Sequence, residues 1–308
     1  MKDFSKNYYQ QVTLLIKVLP YLNELPCFAL KGGTAINFFY QDMPRLSVDI
    51  DLCYLPLESR QKSLAEINDA LGKMAKRIKQ QHPEIQCILD KSAQASLPKL
   101  QIQVPGAIVK VEVSPVFRGT VFSVIDEKPL CDKAQSLFES YLTVKTLSLG
   151  DLYAGKFCAA LNRQHPRDLF DVKLLLDTQG LTKEIRQAFV VYLAADRRPL
   201  HELLNPNIKP YTLQKTLHEN EFIGMVSQDL DYHALSGIVE KLAIEIRQNL
   251  TPNEKQFLVS LVSGKPNWEL MSFIHLKELP ALQWKLLNIN NMDARKRKQQ
   301  IDALAALF

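Results

Sequence analysis

The periodicity of the apolar residues changes type along this chain. In residues 46–52 and 108–113, apolar and polar residues alternate, which is typical of strands that bury one face. Beyond residue 135 these strand patterns fade, and the apolar residues recur at helical spacing. The change predicts an α+β chain, with an α/β domain over residues 1–134 and an α-helical domain over residues 135–308.

The same patterns predict the individual elements. Strands are expected at 28–30, 46–52, 85–91, 97–104 and 107–114. Helices are expected at 4–22, 35–40, 57–82, 150–163, 167–178, 183–194, 210–217, 232–248 and 252–263, and an apolar tail at helical spacing ends the chain. After the first strand, Gly32 and Gly33 predict a turn into a helix, with Thr34 as a candidate N-cap.

The composition excludes several classes of protein. A chain of 308 residues, of which 46% are hydrophobic, can bury its own core and is not disordered. It has no run of about 18 uncharged apolar residues, and its first residues include an acid but no apolar run. We therefore expect no membrane helix, no signal peptide and a cytoplasmic location. The five cysteines form no CxxC pair and the six histidines show no metal-ligand spacing, so any metal chemistry would depend on carboxylates.

Two acidic residues alternate with apolar residues in one predicted strand. Asp49 and Asp51 lie two residues apart, so both side chains leave the same side of the strand. Two unpaired carboxylates this close repel each other, whereas a divalent cation between them removes the conflict. Oxygen ligands of this kind favour Mg²⁺ or Mn²⁺, which keep several waters and add phosphate oxygens of a substrate. The alternative interpretation is a solvated strand edge.

A third acid, Glu112, lies in the middle of another alternating strand. If that strand neighbours the strand of Asp49, three carboxylates would be placed to hold two cations for phosphoryl or nucleotidyl transfer. The alternative is that Glu112 is a cross-strand partner of Lys110 or of another basic residue. The turn at Gly32 and Gly33 favours the first interpretation, because glycines let backbone N–H groups approach a phosphate at the start of a helix.

These features resemble the nucleotidyltransferases of the DNA polymerase β superfamily. The closer resemblance is to the AbiEii/AbiGii family, the toxin components of type IV toxin–antitoxin systems. It is carried by LKGGTAINFFY, RLSVDIDL, IVKVEV, DLYAGK and HPRDLFDVKLLL, in that order, and by a helical second half ending LPALQWKLLN. The resemblance implies a nucleotidyltransferase lobe with a mixed sheet, as in polymerase β, followed by an α-helical lobe, with the active site in the cleft between them.

The resemblance also implies roles for residues of the first half. Gly32, Gly33 and Thr34 match the turn that binds the phosphates of the nucleotide. Asp49 and Asp51 match the acids that bind metal, and one of them would accept the proton of the attacking hydroxyl. The third acid has no rigid spacing in the family, so Glu112 is assigned from its local pattern.

Two further motifs of the family match residues of the second half. Asp151 and Lys156 match the third motif, and Lys156 is expected to meet the triphosphate. Asp168 and Asp171 match the fourth motif, on a helix where positions three apart share a face. The alternatives are a surface role for Lys156 and a cap or brace of the helix N-terminus for the two acids.

Several basic residues are candidates for contacts with phosphate. Lys31 and Arg45 flank the proposed site, although both would also suit surface ion pairs. The run at residues 295–298, RKRK, is either an RNA-backbone contact or a solvated helix face. His165 has no partner visible in the sequence and is interpreted as structural.

The function that the resemblance implies is that of a growth-inhibiting toxin neutralised by a separately encoded antitoxin. The enzyme would transfer a nucleotide from a nucleoside triphosphate to an acceptor hydroxyl, with Mg²⁺ or Mn²⁺ bound, and the 3′ end of tRNA is the acceptor that related toxins use. Transfer to a small molecule or to a protein hydroxyl, and a catalytically inactive nucleotide-binding module, are the alternatives. Intact Asp49, Asp51 and Lys156 argue against the inactive module.

Overall fold

The computed structural model of the protein describes residues 4–90, 99–114, 116–227 and 232–308. By its contacts the chain divides into two compact units, a first unit of residues 1–152 with 223–230 and a second unit of residues 153–222 with 231–308. The boundary predicted after residue 134 falls within the first unit. Across the described ranges, no helix is long and apolar enough to cross a membrane.

The first unit is built around one mixed sheet. Its strands are β1 (Phe28–Lys31), β2 (Asp49–Tyr54), β3 (Gln86–Asp90), β4 (Lys99–Val104), β5 (Ala107–Val113), β6 (Ile125–Pro129) and β7 (Thr143–Thr146). Its helices are α1 (Lys6–Val18), α2 (Gly32–Ala35), α3 (Arg60–Gln81) and α4 (Asp132–Phe138). The strand order is β3-β4-β5-β2-β1-β7-β6. β2 is antiparallel to β1 and parallel to β5.

The two alternating sequences pair with each other at the centre of the sheet. Ile50 lies opposite Val111 in the parallel register, and both side chains are fully buried. Burying an aliphatic side chain of this size contributes about 1.5–3 kcal/mol. On the other face, Asp51 lies opposite Glu112, and both are only partly buried. The strands of Asp49 and Glu112 are therefore neighbours, as the three-acid interpretation required.

The structure differs from the sequence prediction in the strands. The strand expected at 46–52 begins only at Asp49, and residues 91, 97 and 98, at the ends of two other predicted strands, lie outside the described residues. The strands β6 and β7 were not predicted, and the expectation that strands end before residue 135 is wrong, because β7 pairs with β1. A four-residue strand such as β7 is too short to produce a periodic signal.

The second unit consists of helices and their connections, with no strand among its described residues. The helix α5 (Leu149–Arg163) begins in the first unit and continues into the second. The others are α6 (Pro166–Thr178), α7 (Lys183–Ala195), α8 (Leu200–Leu204), α9 (Tyr211–Glu221), α10 (Ile238–Asn249), α11 (Pro252–Val262), α12 (Pro280–Asn290) and α13 (Ala294–Ala305). The predicted helix 232–248 is interrupted at Gly237, whose φ of +79° is incompatible with a continuous helix.

A short segment that follows α9 returns to the first unit. The carbonyl oxygen of Gly224 accepts a hydrogen bond from the backbone N–H of Ser5 at 3.0 Å, and that of Met225 accepts one from Leu46 at 2.7 Å. Leu46 itself is fully buried. The segment therefore satisfies a backbone donor of the first unit three residues before β2 begins.

Candidate active site

Four charged side chains form a row across the sheet of the first unit. In the registers of β1, β2 and β5, Lys31 lies opposite Asp51, and Asp51 lies opposite Glu112. The Lys99 Nζ atom, on β4, lies 2.8 Å from Oε1 of Glu112. Side chains opposite each other in neighbouring strands share a face. The row therefore has two acids at its centre, Asp51 and Glu112, with a lysine at each end. The sequence identified the first three residues and allowed a basic cross-strand partner for Glu112, as the structure has it, but it did not identify that partner as Lys99, because the β4 register is not visible in it.

Asp51 is the acid of this row that has no partner. Among the residues that the structure describes, it accepts no hydrogen bond from a side chain and forms no salt bridge. Its carboxylate lies against the backbone of Gly32, since a Cβ added to that glycine would be 2.3 Å from Asp51 Oδ2. An acid left without a cation on a half-buried face is unfavourable unless something else binds it. Asp51 is therefore the best-placed ligand for a cation in this unit.

The glycine that contacts Asp51 also has an unusual backbone conformation. Gly32 has φ of +73°, in the left-handed region, and it begins α2. We expect Gly32→Ala to lower the free energy of unfolding by about 2 kcal/mol or more, because a left-handed alanine costs about 1–2 kcal/mol and its methyl would overlap the carboxylate. Urea denaturation measures this. The matched control is Gly72→Ala in α3, where a Cβ meets open space and should stabilise by about 0.5–1 kcal/mol; equal effects of the two substitutions would contradict the assignment.

The residues that follow Gly32 tie the turn to the start of β2. The hydroxyl of Thr34 donates to the carbonyl oxygen of Asp49 at 2.5 Å, and it lies 3.1 Å from Ser47 Oγ. Thr34 is buried and lies within α2, so the expectation that it caps this helix is wrong. Its hydroxyl instead fixes the backbone of Asp49. The carbonyl oxygen of Gly33 accepts from Asn37 Nδ2 at 2.9 Å.

Arg45 lies behind the turn rather than on the surface. It is 2% exposed, and its Nη1 donates to the carbonyl oxygen of Leu46 at 2.8 Å. A Cβ on Gly33 would be 2.7 Å from Arg45 Nη2, so this glycine is required by the close approach of the guanidinium. The surface ion pair considered for Arg45 is thus excluded, and its positive charge is buried directly beneath the turn.

Asp151 forms hydrogen bonds that have a structural role in the first unit. Its Oδ1 accepts from the backbone N–H of Val121, and its Oδ2 accepts from that of Phe122, each at 2.9 Å. Ser148 Oγ donates to the same Oδ2 at 3.0 Å. The two backbone bonds hold the loop after β5 against the start of α5, and the bond from Ser148 orients the carboxylate. Its partners lie up to 30 residues away in the sequence, so the sequence did not indicate this role.

The second unit contains an ion-pair network of three buried side chains and one exposed arginine. Lys156 Nζ lies 2.9 Å from Asp168 Oδ1 and 3.0 Å from Asp171 Oδ2, and all three side chains are at most 7% exposed. Arg163, which the sequence did not identify, donates to both oxygens of Asp168, at 2.5 and 3.0 Å. Lys156 is therefore not a surface lysine, and Asp168 is paired rather than capping its helix.

The ionisation of Asp168 follows from this network. Burial of its carboxyl opposes ionisation, but the Lys156 ammonium and the Arg163 guanidinium outweigh burial and hold its pKa well below the usual range. Asp168 is therefore charged at neutral pH. The buried carboxylates of Asp168 and Asp171 share the buried ammonium of Lys156, and the exposed guanidinium of Arg163 adds a second cation at Asp168, so the buried charges are paired, as burial of charge requires.

His165 has a partner that the sequence could not reveal. Its Nδ1 accepts from the backbone N–H of Arg167 at 3.2 Å, which caps α6, and its Nε2 lies 2.9 Å from Glu221 Oε2. Since Nδ1 accepts, Nε2 carries the proton and donates to the carboxylate. Burial lowers the pKa of His165, while the bond to Glu221 acts in the opposite direction. The structural interpretation of His165 is consistent with both contacts.

The predicted site residues thus fall into two groups, one in each unit. Lys31, Gly32, Asp51 and Glu112 lie together in the first unit, whereas Lys156 belongs to the buried network of the second. Within the described ranges, no group of three or more histidine, cysteine or acidic side chains is arranged to hold a metal ion. The carboxylate donors of the row suit Mg²⁺ or Mn²⁺, and Asp51 has its oxygens available, but Glu112 is bound by Lys99.

Comparison with known proteins identifies the family to which the chain belongs. A model of the family described as nucleotidyl transferase AbiEii toxin, of type IV toxin–antitoxin systems, matches residues 14–286. The structure is similar to that of MenT4, a nucleotidyltransferase toxin from Mycobacterium tuberculosis H37Rv, with a TM-score of 0.60, 15% identity, and coverage of 98% of this chain and 95% of that chain. It also aligns with terminal uridylyl transferase 4 from Trypanosoma brucei with bound UPU, with a TM-score of 0.28, 11% identity, and coverage of 97% and 94%.

No curated protein sequence matches this chain. The family model nevertheless extends from α1 to α12, and it includes the turn at Gly32, the strand of Asp51 and the helices that carry Lys156 and Asp168. The likeness to MenT4 extends over nearly the whole of both chains and shows that the two share a fold. The chain therefore belongs to the nucleotidyl transferase AbiEii toxin family of type IV toxin–antitoxin systems, and it is a nucleotidyltransferase.

Proposed function

We propose that this enzyme transfers a nucleotide from a nucleoside triphosphate to a hydroxyl of RNA, with the 3′ end of tRNA as the acceptor, and that it does so in the cytoplasm as a growth-inhibiting toxin. A separately encoded antitoxin would neutralise it. The observation that carries the proposal is Asp51: a carboxylate without a cation, beside Glu112 and against the backbone of Gly32. Such a carboxylate suits a metal that also binds the phosphates of a nucleotide.

Asp49 and Asp51 are the proposed ligands of Mg²⁺ or Mn²⁺. Thr34 fixes the backbone of Asp49, and β2 presents both carboxylates on one face. Glu112 lies in the same row and would join them after leaving Lys99. When bound, the cation supplies charge neutralisation at the phosphate oxygens.

The chain's own residues would bind the substrate and accept a proton. The turn at Gly32 and Gly33 and the ammonium of Lys31 are proposed to bind the triphosphate, since Lys31 forms no salt bridge with a described residue. The acceptor hydroxyl oxygen attacks the α-phosphorus, the bond from that phosphorus to the bridging oxygen breaks, and pyrophosphate leaves. One of the carboxylates, of Asp49 or Asp51, takes the hydroxyl proton.

The contact between Lys156 and the triphosphate stays a prediction. Lys156 is already bound by Asp168 and Asp171, so a phosphate would compete with two buried carboxylates for it. The network fixes the position of its ammonium, and Arg163 in turn fixes Asp168. In this proposal Asp168 is accordingly a positioning residue.

The proposal is tested by incubating the purified protein with Mg²⁺, total RNA and each α-labelled nucleoside triphosphate in turn. We expect label in RNA with at least one nucleotide, concentrated in the tRNA fraction, and slower growth of cells that express the protein. Label in protein or in a small molecule would overturn the RNA acceptor while keeping the transferase. No label in any fraction, together with normal growth, would overturn the toxin-transferase proposal.

The ion pair between Lys99 and Glu112 allows a separate test of the metal site. Because the Lys99 ammonium competes with a cation for Glu112, we expect Lys99→Met to tighten Mn²⁺ binding by up to about five-fold, the equivalent of one exposed ion pair. Glu112→Gln should weaken Mn²⁺ binding, and adding Lys99→Met to it should then change nothing. Titration of free Mn²⁺ by electron paramagnetic resonance measures all three.

The control for this test is Lys73→Met, which removes an exposed lysine from a salt bridge with Asp69 on α3. It lowers the net charge by the same amount without touching the row. If Lys73→Met tightens Mn²⁺ binding as much as Lys99→Met does, the effect is one of overall charge and Glu112 is not a ligand.

A further inference from the structure

The second unit contains an open groove that the proposed reaction does not use. It has a volume of about 720 Å³ and lies between residues 195–202 on one side and the helices α12 and α13 on the other. Grooves of this size accommodate a ligand of several rings or a short stretch of polymer. The side chains that give the groove its chemistry are Arg197, Trp284, Asn288, Lys296, Gln299 and Gln300.

An exposed tryptophan lies in this groove. Trp284 is 52% exposed, although its neighbours on α12, Leu282 and Ile289, are buried in the core. Tryptophan has the largest apolar side chain, and here about half of it is open to solvent within a groove that also holds polar and basic side chains. An indole that is open to solvent offers a face on which a planar ring can stack.

The basic side chains that line the groove outnumber the acidic ones. Arg197 and Lys296 form no salt bridge with any described residue. Of the two acids in the groove, Glu202 pairs with the side chain of Arg198 at 3.0 Å, whereas Asp196 accepts at Oδ1 from the backbone N–H of Arg198 at 2.9 Å and keeps its charge. A ligand in this groove therefore meets two cations without a salt bridge to a described residue, Arg197 and Lys296, and one such carboxylate, that of Asp196.

Of the basic run at residues 295–298, only Lys296 is among the residues that line the groove. Lys296 lines the groove, together with Gln299 and Gln300 one turn further along α13. Arg297 lies elsewhere, since its Nη1 is 3.6 Å from the position of a Cβ on Gly264. Only part of the run is thus in a position to act together with Trp284.

We propose that this groove binds a single-stranded segment of RNA, with an unpaired base stacked on Trp284 and the backbone phosphates at Lys296 and Arg197. An aromatic side chain flanked by cations is a usual arrangement for binding unpaired nucleic acid. Every base has a planar π-face that can stack on the aromatic ring, and every phosphodiester linkage carries a negative charge. The amides of Asn288 and Gln299 can bond to base edges or to the 2′-hydroxyl. The inference rests on the proposed transfer to RNA and adds the surface that would hold the acceptor.

The sequence provides a spectroscopic probe for this groove. The chain has only two tryptophans, so Trp268→Phe leaves Trp284 as the sole one. In this variant, without nucleotide or metal, we expect a mixed-sequence 12-nucleotide single-stranded RNA to quench Trp284 fluorescence. The same RNA as a duplex and a polyglutamate peptide should quench much less.

Two variants then separate stacking from charge. Binding by the variants is measured as the fluorescence anisotropy of the same RNA carrying a 5′ dye, and by this measure Trp284→Ala should weaken binding of the single strand by about 5- to 150-fold, as expected for the loss of one stacked base. Replacing both Arg197 and Lys296 by glutamine should reduce the slope of log K against log salt by about 1.4, because two phosphate contacts are lost. The charge-matched control replaces Lys265 and Lys277, which are exposed outside the groove, by glutamine.

The outcomes distinguish this inference from the proposed function. Unquenched Trp284, or an equal loss of binding in the charge-matched control, overturns the groove as the RNA site even if the enzyme labels RNA. Preferential quenching by the acidic peptide overturns RNA in favour of a protein partner. Binding of the single strand by a protein that labels no RNA supports the groove and overturns the transfer. Unchanged thermal unfolding of each variant verifies that the fold is intact.

Discussion

Replacing Asp51 by asparagine is expected to reduce nucleotidyl transfer by about 10²–10³-fold, because a metal site loses one of its charged ligands and several kcal/mol of transition-state stabilisation. The same substitution should leave the thermal unfolding temperature unchanged or slightly higher. Asp51 has no hydrogen-bond or salt-bridge partner among the described residues, so no native contact of that kind is lost, and repulsion between two acids is relieved. Transfer of label and a thermal melt on one preparation measure both effects.

A suitable control for this substitution is Asp69→Asn, which makes the same chemical change on the exposed face of α3. It should retain full transfer activity. Growth inhibition should follow transfer, so cells expressing the Asp51 variant should grow normally. If the variant unfolds at a clearly lower temperature, Asp51 is a structural residue and the metal assignment is wrong.

The second large effect is expected at Lys156. Lys156→Met should lower the free energy of unfolding by about 3–5 kcal/mol, because it removes a buried cation from two buried carboxylates. The matched control is Lys173→Met, which removes a more exposed lysine from its pair with Asp177 on α6 and should cost less than about 1 kcal/mol. Urea denaturation followed by circular dichroism compares them.

The pH dependence of the Lys156 effect has a defined sign. The pKa of Asp168 is lowered in the folded protein, so the network stabilises above the ordinary carboxyl pKa of about 4 and loses this contribution as the pH falls towards the lowered value. In Lys156→Met, Asp168 keeps Arg163 but loses the ammonium, so it binds a proton more readily. The difference in the free energy of unfolding between the native protein and Lys156→Met should therefore be largest near pH 7 and shrink below about pH 4.

Two outcomes would contradict this account of the network. One is a Lys156→Met variant that is no less stable than the Lys173 control. The other is a failure of the variant with all three changes, Lys156→Met, Asp168→Asn and Asp171→Asn, to regain stability, since neutral groups of similar shape avoid the cost of buried charge.

The sequence predicted those parts of the site that depend on local periodicity. The alternation of apolar and polar residues predicted that Asp51 and Glu112 each lie on the polar face of a strand. In the structure these two strands pair in parallel, which is the arrangement that the three-acid interpretation required. The turn at Gly32 was predicted because two adjacent glycines between a strand pattern and a helical pattern are a typical turn signal. Helices of the second half were predicted where their apolar residues recur at regular helical spacing.

What could not be predicted depends on pairing over long sequence distances. Lys99 reaches Glu112 only because β4 and β5 pair in one register, and Arg45 is buried only because Gly33 leaves room for it. Helix α12 was not among the individual predictions, since its apolar residues, such as Trp284 and Ile289, are spread around its circumference. Such contacts are set by the whole fold, and a local pattern carries no information on them.

The return of residues 223–227 to the first unit limits how this protein can be dissected. A fragment that ends after residue 152 lacks the carbonyl oxygen of Met225, and the N–H of Leu46 beside the buried Arg45 then has no backbone acceptor from that segment. A buried donor that loses its acceptor costs about 1–3 kcal/mol. No single truncation therefore yields an intact first unit, and gene fragments or fusions designed to isolate it must supply the 223–227 peptide in trans or by a redesigned connection.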